Sequence, residues 1–428
     1  MAWTRLSARA VLLAIFSAVF VCSAAWGTPT EVVLYNFCQQ SNCADGGGPN
    51  GGLVFDANGN LYGTTTYGGT TALAGGTVFE LSPTQNGWTE TVLYSFCVSA
   101  GCPDGQSPEG SLIFDSHGNL YGTTNSGGAY GYGTVFELSP TQSGWTETVL
   151  YSFCAAGWPC ADYTGQPYSD LWPDAGVVMD KSGNLFGESA YGSVFELSQS
   201  GGTWEKSDLY FVGDGDPAGV GLDSEGNAYG VAEQGGIGAD PGGYVFELLR
   251  SNGWNESTLF GFEEKSGKYT DGYNPDSTPV FDTKGNLYGT TQYNGTSGNA
   301  QTGGTAFKLT PSKKGWKFKL LHTFNGKNGD GIEPYGAMAV DGSGNVFGAT
   351  YLGGTSECQG TKNYCGTVFE ISLSGSTYAE SVLWSFNETD GEHPMGGVIL
   401  DKSGNVYGTT FAGGTGTWSN GVVFEVIP

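Results

Sequence analysis

The chain has 428 residues, 74 of them glycine, with 14% charged residues and a formal net charge of −26. That acidity repels polyanions, and no basic stripe offers one a docking surface, which excludes a nucleic-acid partner. Glycine without a collagen period, set between short apolar runs, describes a turn-dense all-β protein rather than disorder.

The first residues read as an address. Arg5 and Arg9 precede an apolar run from Ala10 to Val21, followed by small residues through Gly27. This is the pattern of a secretory signal peptide over residues 1–27, leaving 28–428 as one exported domain, periplasmic or extracellular. No later run is long enough to span a bilayer. Eight cysteines remain after the signal, in four close pairs: Cys38/Cys43, Cys97/Cys102, Cys154/Cys160 and Cys358/Cys365. Close pairing in an exported chain predicts four local disulfides. A zinc site would need the thiols gathered into one tetrahedral set, and these pairs fall in different repeats.

The first strand is expected over residues 31–37. Next comes the stretch that organises the chain, Asp56-Ala57-Asn58-Gly59-Asn60-Leu61-Tyr62-Gly63-Thr64-Thr65, with later copies beginning at Asp115, Asp180, Asp223, Asp282, Asp341 and Asp401. Asp accepts backbone N–H bonds two residues on and Gly takes positive φ, so each copy is a tight hairpin turn. It lacks the alternating ligands and distal Glu of an EF-hand. Four short strands are expected per unit, in the first at 53–55, 61–65, 77–81 and 88–96. The third recurs from Val78-Phe79-Glu80-Leu81 to Val423-Phe424-Glu425-Val426. Seven such units predict a seven-bladed β-propeller with four-stranded blades. The unbroken apolar runs of the first strands, such as Leu112-Ile113-Phe114, suggest a strand covered on both faces. The chain ends on a third strand, so residues 31–37 are expected to close the ring as the outer strand of the last blade.

The recurrent Leu-Tyr-x-Phe, Asp-Gly-x-x-Pro, Asp-x-x-Gly-Asn-Leu-Tyr-Gly-Thr-Thr and Gly-Thr-Val-Phe-Glu-Leu resemble the bacterial tandem repeat called GloVer, of the choice-of-anchor group. The likeness covers residues 31–428. It implies an exported protein with no agreed activity, often carrying a C-terminal sorting anchor; here Pro428 follows a strand directly, so no anchor is expected. The hairpin is also similar to NHL and gluconolactonase-type propellers, a likeness of fold that carries no chemistry.

Function is expected on the face bearing the long, cross-linked loops. Asp45, Asp104, Asp214, Asp271, Asp330 and Asp390 recur there, most before Gly. If the loops turn inward, these residues ring the central channel and could take a cation such as calcium; otherwise they are turn residues. The third and fourth units carry Glu188 and Glu233 where the others end the second strand in Thr, beside a long loop with Trp158, Tyr163, Tyr168 and Trp172. Aromatics beside carboxylates suit sugars, although the aromatics could instead pack as a local core. No metal-ligand or triad spacing stands out, and no cofactor is expected. The expected function is a monomeric, non-catalytic binding or scaffold module for carbohydrate or a cell-surface protein. The alternative is a polysaccharide hydrolase or lyase using Glu188 and Glu233.

Overall fold

The computed structural model describes residues 28–155, 157, 160, 170–190, 193–212, 218–234, 241–264, 268–295, 303–358, 361–375, 377–416 and 420–428. The expected signal peptide lies outside these residues, as do Trp158, Tyr163, Tyr168 and Asp214.

Each hairpin forms as its residues dictate. In the first, one oxygen of Asp56 accepts the N–H groups of Asn58 and Asn60 at 2.8 and 2.9 Å, and the other accepts the Asn60 amide at 2.8 Å. Gly59 closes the turn at φ 90°. Burial pushes the Asp56 carboxyl up, but the bonds from Asn60 and Asn58 together outweigh it and hold it below the usual range. The same pair of backbone bonds recurs at Asp115, Asp180, Asp223, Asp282, Asp341 and Asp401.

These hairpins begin seven antiparallel sheets arranged as a seven-bladed propeller. The first blade is Val54–Phe55, Leu61–Thr65, Thr77–Thr84 and Gly87–Ser95. Blades two, three and four repeat that order. The fifth adds Tyr269–Pro275 as a fifth strand beside Leu287–Gly295, and the sixth opens with the long strand Gly331–Val340. In the seventh, Ile399–Leu400, Val406–Thr410 and Val422–Ile427 are completed by Thr30–Asn36, paired antiparallel from Thr30 with Ile427 to Asn36 with Val422. The expected closure is therefore present.

The core lies between blades. Phe79 and its equivalents Phe136, Phe195, Phe246, Phe307, Phe369 and Phe424 are fully buried. Each such ring lies over the glycine of the adjacent second strand; a Cβ on Gly63 would stand 2.6 Å from Phe79 Cζ. Trp145 packs into the cluster holding Tyr62 of the preceding blade, and Trp204 into that of Tyr121. Two expectations change here. Outside the sixth blade the innermost strands are two residues long and mostly half-buried, whereas the second strands, such as Leu61–Thr65, are buried throughout. The inner strand borders the axis, while the second is sandwiched by the blades on both sides. Glu233 also lies beyond its strand, Ala228–Ala232, and Val231 takes the register place of Thr64.

Candidate functional site

The loop-rich face is built around seven equivalent junctions, where an outer strand passes to the next blade's inner strand. Six of these hold a described proline: Pro49, Pro108, Pro173, Pro275, Pro334 and Pro394. The proline seats on the glycine that opens a neighbouring third strand; a Cβ on Gly76 would meet Pro108 Cδ at 2.6 Å. The residue before each proline is left-handed, with φ 63° at Gly48, 55° at Ser107, 51° at Trp172, 57° at Asn274, 55° at Glu333 and 58° at His393. A non-glycine residue in that region before proline is strained by about 1–3 kcal/mol, and such strain gathers at functional sites.

The residue after each proline turns to the axis. Asn50, Glu109, Asp174, Asp276, Tyr335 and Met395 line an axial cavity of about 240 Å³ together with the small residues that follow them. Those small residues pack edge to edge; a Cβ on Gly110 would stand 2.4 Å from Gly176 N. Asn50 donates to Glu109 at 3.5 Å, Asn125 donates to Asp174, and Asn274 donates to Gln292 at 2.9 Å. Burial, and then the charge of Asp174, push the Glu109 carboxyl up to about 7 against the Asn50 bond. On the Tyr335 side, the Tyr335 ring is 6.3 Å from Tyr351, which stacks on His393 at 4.5 Å and 24°. Burial holds His393 below its usual range, against the opposing pull of Glu392. The cavity thus offers the carboxylates of Glu109, Asp174 and Asp276 and the Asn50 carboxamide, with the Tyr335 ring on one side.

The residues singled out from sequence are placed differently. The cysteines are bonded as expected, Cys38 to Cys43, Cys97 to Cys102, Cys154 to Cys160 and Cys358 to Cys365, which fits an exported chain in an oxidising compartment. None of them lines the axial cavity, so the cross-links brace the loop-rich face without belonging to its site. The backbone carbonyls of Cys43 and Cys102 add contacts beyond these local cross-links. Both are left-handed, at φ 51° and 47°, as are Cys38, Cys97, Cys154 and Cys160. The Cys43 carbonyl accepts Gly46 N–H and, across to the loop after the second strand, Gly69 N–H, both at 2.9 Å. The Cys102 carbonyl does the same for Gly105 at 2.9 Å and Gly128 at 2.8 Å. Each of these two cysteines therefore ties together two loops of the face, not one.

Asp45, Asp104, Asp330 and Asp390 do not ring the channel. They are buried under the connecting loops, accepting loop amides such as Gln39 N–H at 2.8 Å on Asp45 and Asn387 N–H at 2.7 Å on Asp390. Tyr35 and Tyr94 of the preceding outer strands donate to Asp45 and Asp104 at 2.8 and 3.0 Å. These Asp residues turn outward because the amides they cap belong to the loop, not the axis. Asp271 is half-buried, and its carbonyl accepts the Thr305 hydroxyl at 3.1 Å.

Trp172 stays 37% exposed, its ring 6.2 Å from Tyr132, above a small cluster of Cys154, Cys160, Leu171 and Ala190. Glu188 is buried in its strand, at the position where Thr64, Thr123 and Thr409 of other blades donate hydroxyls to the next blade's carbonyls. Glu188 keeps that blade-to-blade link by accepting the Gly219 N–H, while burial, Asp276 and Glu233 push it up to about 8. Sequence reasoning missed the cavity residues themselves. Their signal was the one varied position between a constant proline and a small residue.

The Gloeobacter/Verrucomicrobia repeat model matches residues 18–179 and 297–428. No curated protein matches the chain. The extracellular domain of the hybrid two-component system BT3049 from B. thetaiotaomicron is similar at 14% identity and TM-score 0.49, over 93% of this chain and 41% of that one. This chain therefore spans about two fifths of that protein's length. A protein of unknown function from Dyadobacter fermentans is similar at 10% identity and TM-score 0.43, over 93% of this chain and 99% of that one.

Proposed function

This chain belongs to the Gloeobacter/Verrucomicrobia repeat family, and from that premise we propose that it is an exported propeller module that binds carbohydrate at the axial cavity of its loop-rich face. The observation that carries the reading is the cavity itself. Six blades each send one residue to it, and those residues are Asn50, Glu109, Asp174, Asp276, Tyr335 and Met395. Hydroxyl-rich ligands need convergent acceptors and carboxamides with an aromatic face nearby, and Tyr335, Tyr351 and His393 supply that face. The strained backbone before each proline supports the same place, since it fixes the side chains that follow. Exposed Trp172, two positions from Asp174, extends the aromatic surface toward the third blade.

Binding, rather than hydrolysis, is favoured by Glu188. It is sealed from solvent and spends one oxygen on Gly219, so it is committed to joining two blades. A glycan array on residues 28–428, followed by calorimetric titration of the best ligand, tests the reading. Tyr335→Ala and Asp174→Ala should each weaken binding about tenfold or more, the loss of a ring contact or of a charged hydrogen bond. The proposal fails if the protein binds no glycan, or if both folded variants bind as tightly as the parent.

A further inference from the structure

We propose that His322, Asp330 and Glu380 form a binding site for one divalent transition-metal ion of the zinc class, at the outer junction of the fifth and sixth blades. The three residues come from three elements. His322 lies in the outer strand Gly315–Phe324, Asp330 in the connection that follows, and Glu380 in the next outer strand, Thr377–Ser385. One donor atom from each lies within 4.8 Å of the other two. The His322 Nε2 to Asp330 Oδ1 distance is 3.2 Å. Zinc takes imidazole nitrogen and carboxylate oxygen at about 2.0–2.2 Å, so donors up to about 4.4 Å apart can share one ion, and the His322–Asp330 pair already lies inside that range.

The second coordination shell is in place. Asn325 N–H holds the other Asp330 oxygen at 2.8 Å, and Phe324 packs edge-on against the imidazole at 4.7 Å. Oε1 of Glu380 is buried without a hydrogen-bond partner, as are Oε1 of Glu90 and of Glu147 at the equivalent positions, but of these three only Glu380 has an imidazole in its cluster. The His322 side chain is 22% exposed and leaves a way in.

The repeat supplies an independent argument, because the same junction recurs around the ring. Tyr35, Asp45 and Glu90 occupy it before the first blade, and Tyr94, Asp104 and Glu147 before the second. Between the second and third blades, Tyr151 and Asp170 are joined by Lys206 in place of the glutamate. Lys206 Nζ is buried, 3.1 Å from Asp170. The chain thus puts its own cation where Glu380 stands at the fifth junction. Among these junctions His322 replaces a tyrosine hydroxyl with an imidazole, which turns an acidic pair into a mixed nitrogen and oxygen ligand set.

The experiment is calorimetric titration of the full mature protein, first stripped with chelator, with Zn²⁺ and separately with Ca²⁺. The expected result is one Zn²⁺ per chain and no comparable Ca²⁺ binding. Two substitutions that the fold already accepts at equivalent positions keep the test clear of misfolding. His322→Tyr restores the tyrosine of the other junctions, and Glu380→Lys installs the lysine found at position 206. Each should weaken Zn²⁺ binding at least about tenfold, and Co²⁺ should show ligand-field bands in the parent that both variants lose. No Zn²⁺ binding by the parent would overturn the proposal. Zn²⁺ binding that survives both substitutions would overturn it equally, by placing the ion elsewhere.

Discussion

Gly118 and Gly122 sit in one hairpin of the second blade, and substitution should separate their roles. Gly118 holds φ 87° with open space where a Cβ would be. Gly122 has ordinary backbone, but its Cβ would stand 2.7 Å from Phe136 Cζ and 2.8 Å from Leu112 Cδ2. Alanine at 118 should lose about 1–2 kcal/mol to left-handed strain, and asparagine less, because its side chain tolerates that region. At 122 the order should invert: alanine loses about 1–3 kcal/mol by overpacking and asparagine more. Urea midpoints for the four variants decide it, and the same order at both sites would refute the distinction. Residues like these were legible in sequence because every blade repeats them for the same local reason. The cavity residues were not, since Asn50, Glu109, Tyr335 and Met395 share a position but no chemistry. Asp45 and its equivalents misled for the opposite reason: they repeat faithfully because they cap loop amides, as Gln39 and Gln40 show. Cys43 and Cys102 announced their bonding partners by spacing, but the second loop each one holds, through Gly69 and Gly128, depends on carbonyl direction and left no mark in the chain.

At the level of elements, the closure rests on one strand. Phe37, just past Thr30–Asn36, is fully buried, its ring 5.0 Å from Phe79 of the first blade, and its N–H donates to Gly421 O at 3.1 Å. Removing residues 28–37 would open a cavity beside Phe79 and expose the edge of Val422–Ile427. The truncated chain should elute as aggregate, or as a dimer paired through that edge, where the parent is expected to elute as a monomer. A stable monomer with unchanged melting would show that the strand is dispensable. This closure could be read from the chain because its last strand is a third strand and its first resembles an outer one. The extra strand Tyr269–Pro275 and the small hairpin of Glu357–Cys358 with Thr361–Tyr364 could not. The first joins the fifth blade beside Leu287–Gly295 and the second is a separate two-stranded sheet within a connecting loop, and local periodicity carries no trace of either.

Across the whole molecule, acidity and burial together set the pH at which the ring is firmest. Burial is the leading cause at each of the glutamates that follow, whereas at the hairpin aspartates the hydrogen bonds together outweigh it. Glu90 is raised to about 7, with Asp45 adding to it, and Glu147 to about 7, with Asp104 adding. Glu31 is raised to about 8, with Asp390 adding. Glu109 and Glu188 rise to about 7 and about 8. Each holds its proton more tightly folded than unfolded, so its contribution is complete below the ordinary 4.5 and is lost as pH climbs through 7 to 8. The hairpin carboxyls Asp56, Asp115, Asp180 and Asp282 are depressed, so theirs is present above the ordinary 3.8 and lost as pH falls below it. His393, depressed by burial, works against the glutamates as a single group. Stability should therefore peak near pH 4–5 and decline toward pH 8, where self-repulsion of a chain at −26 adds to the loss. Glu90→Gln isolates one junction. It removes a carboxylate that must ionise beside Asp45 while keeping its shape, so it should raise the melting temperature at pH 8 and leave it nearly unchanged at pH 5. A parent melting temperature that rises from pH 5 to pH 8, or a Glu90→Gln gain equal at both, would mean that the junction glutamates are already ionised and stably accommodated in the folded ring.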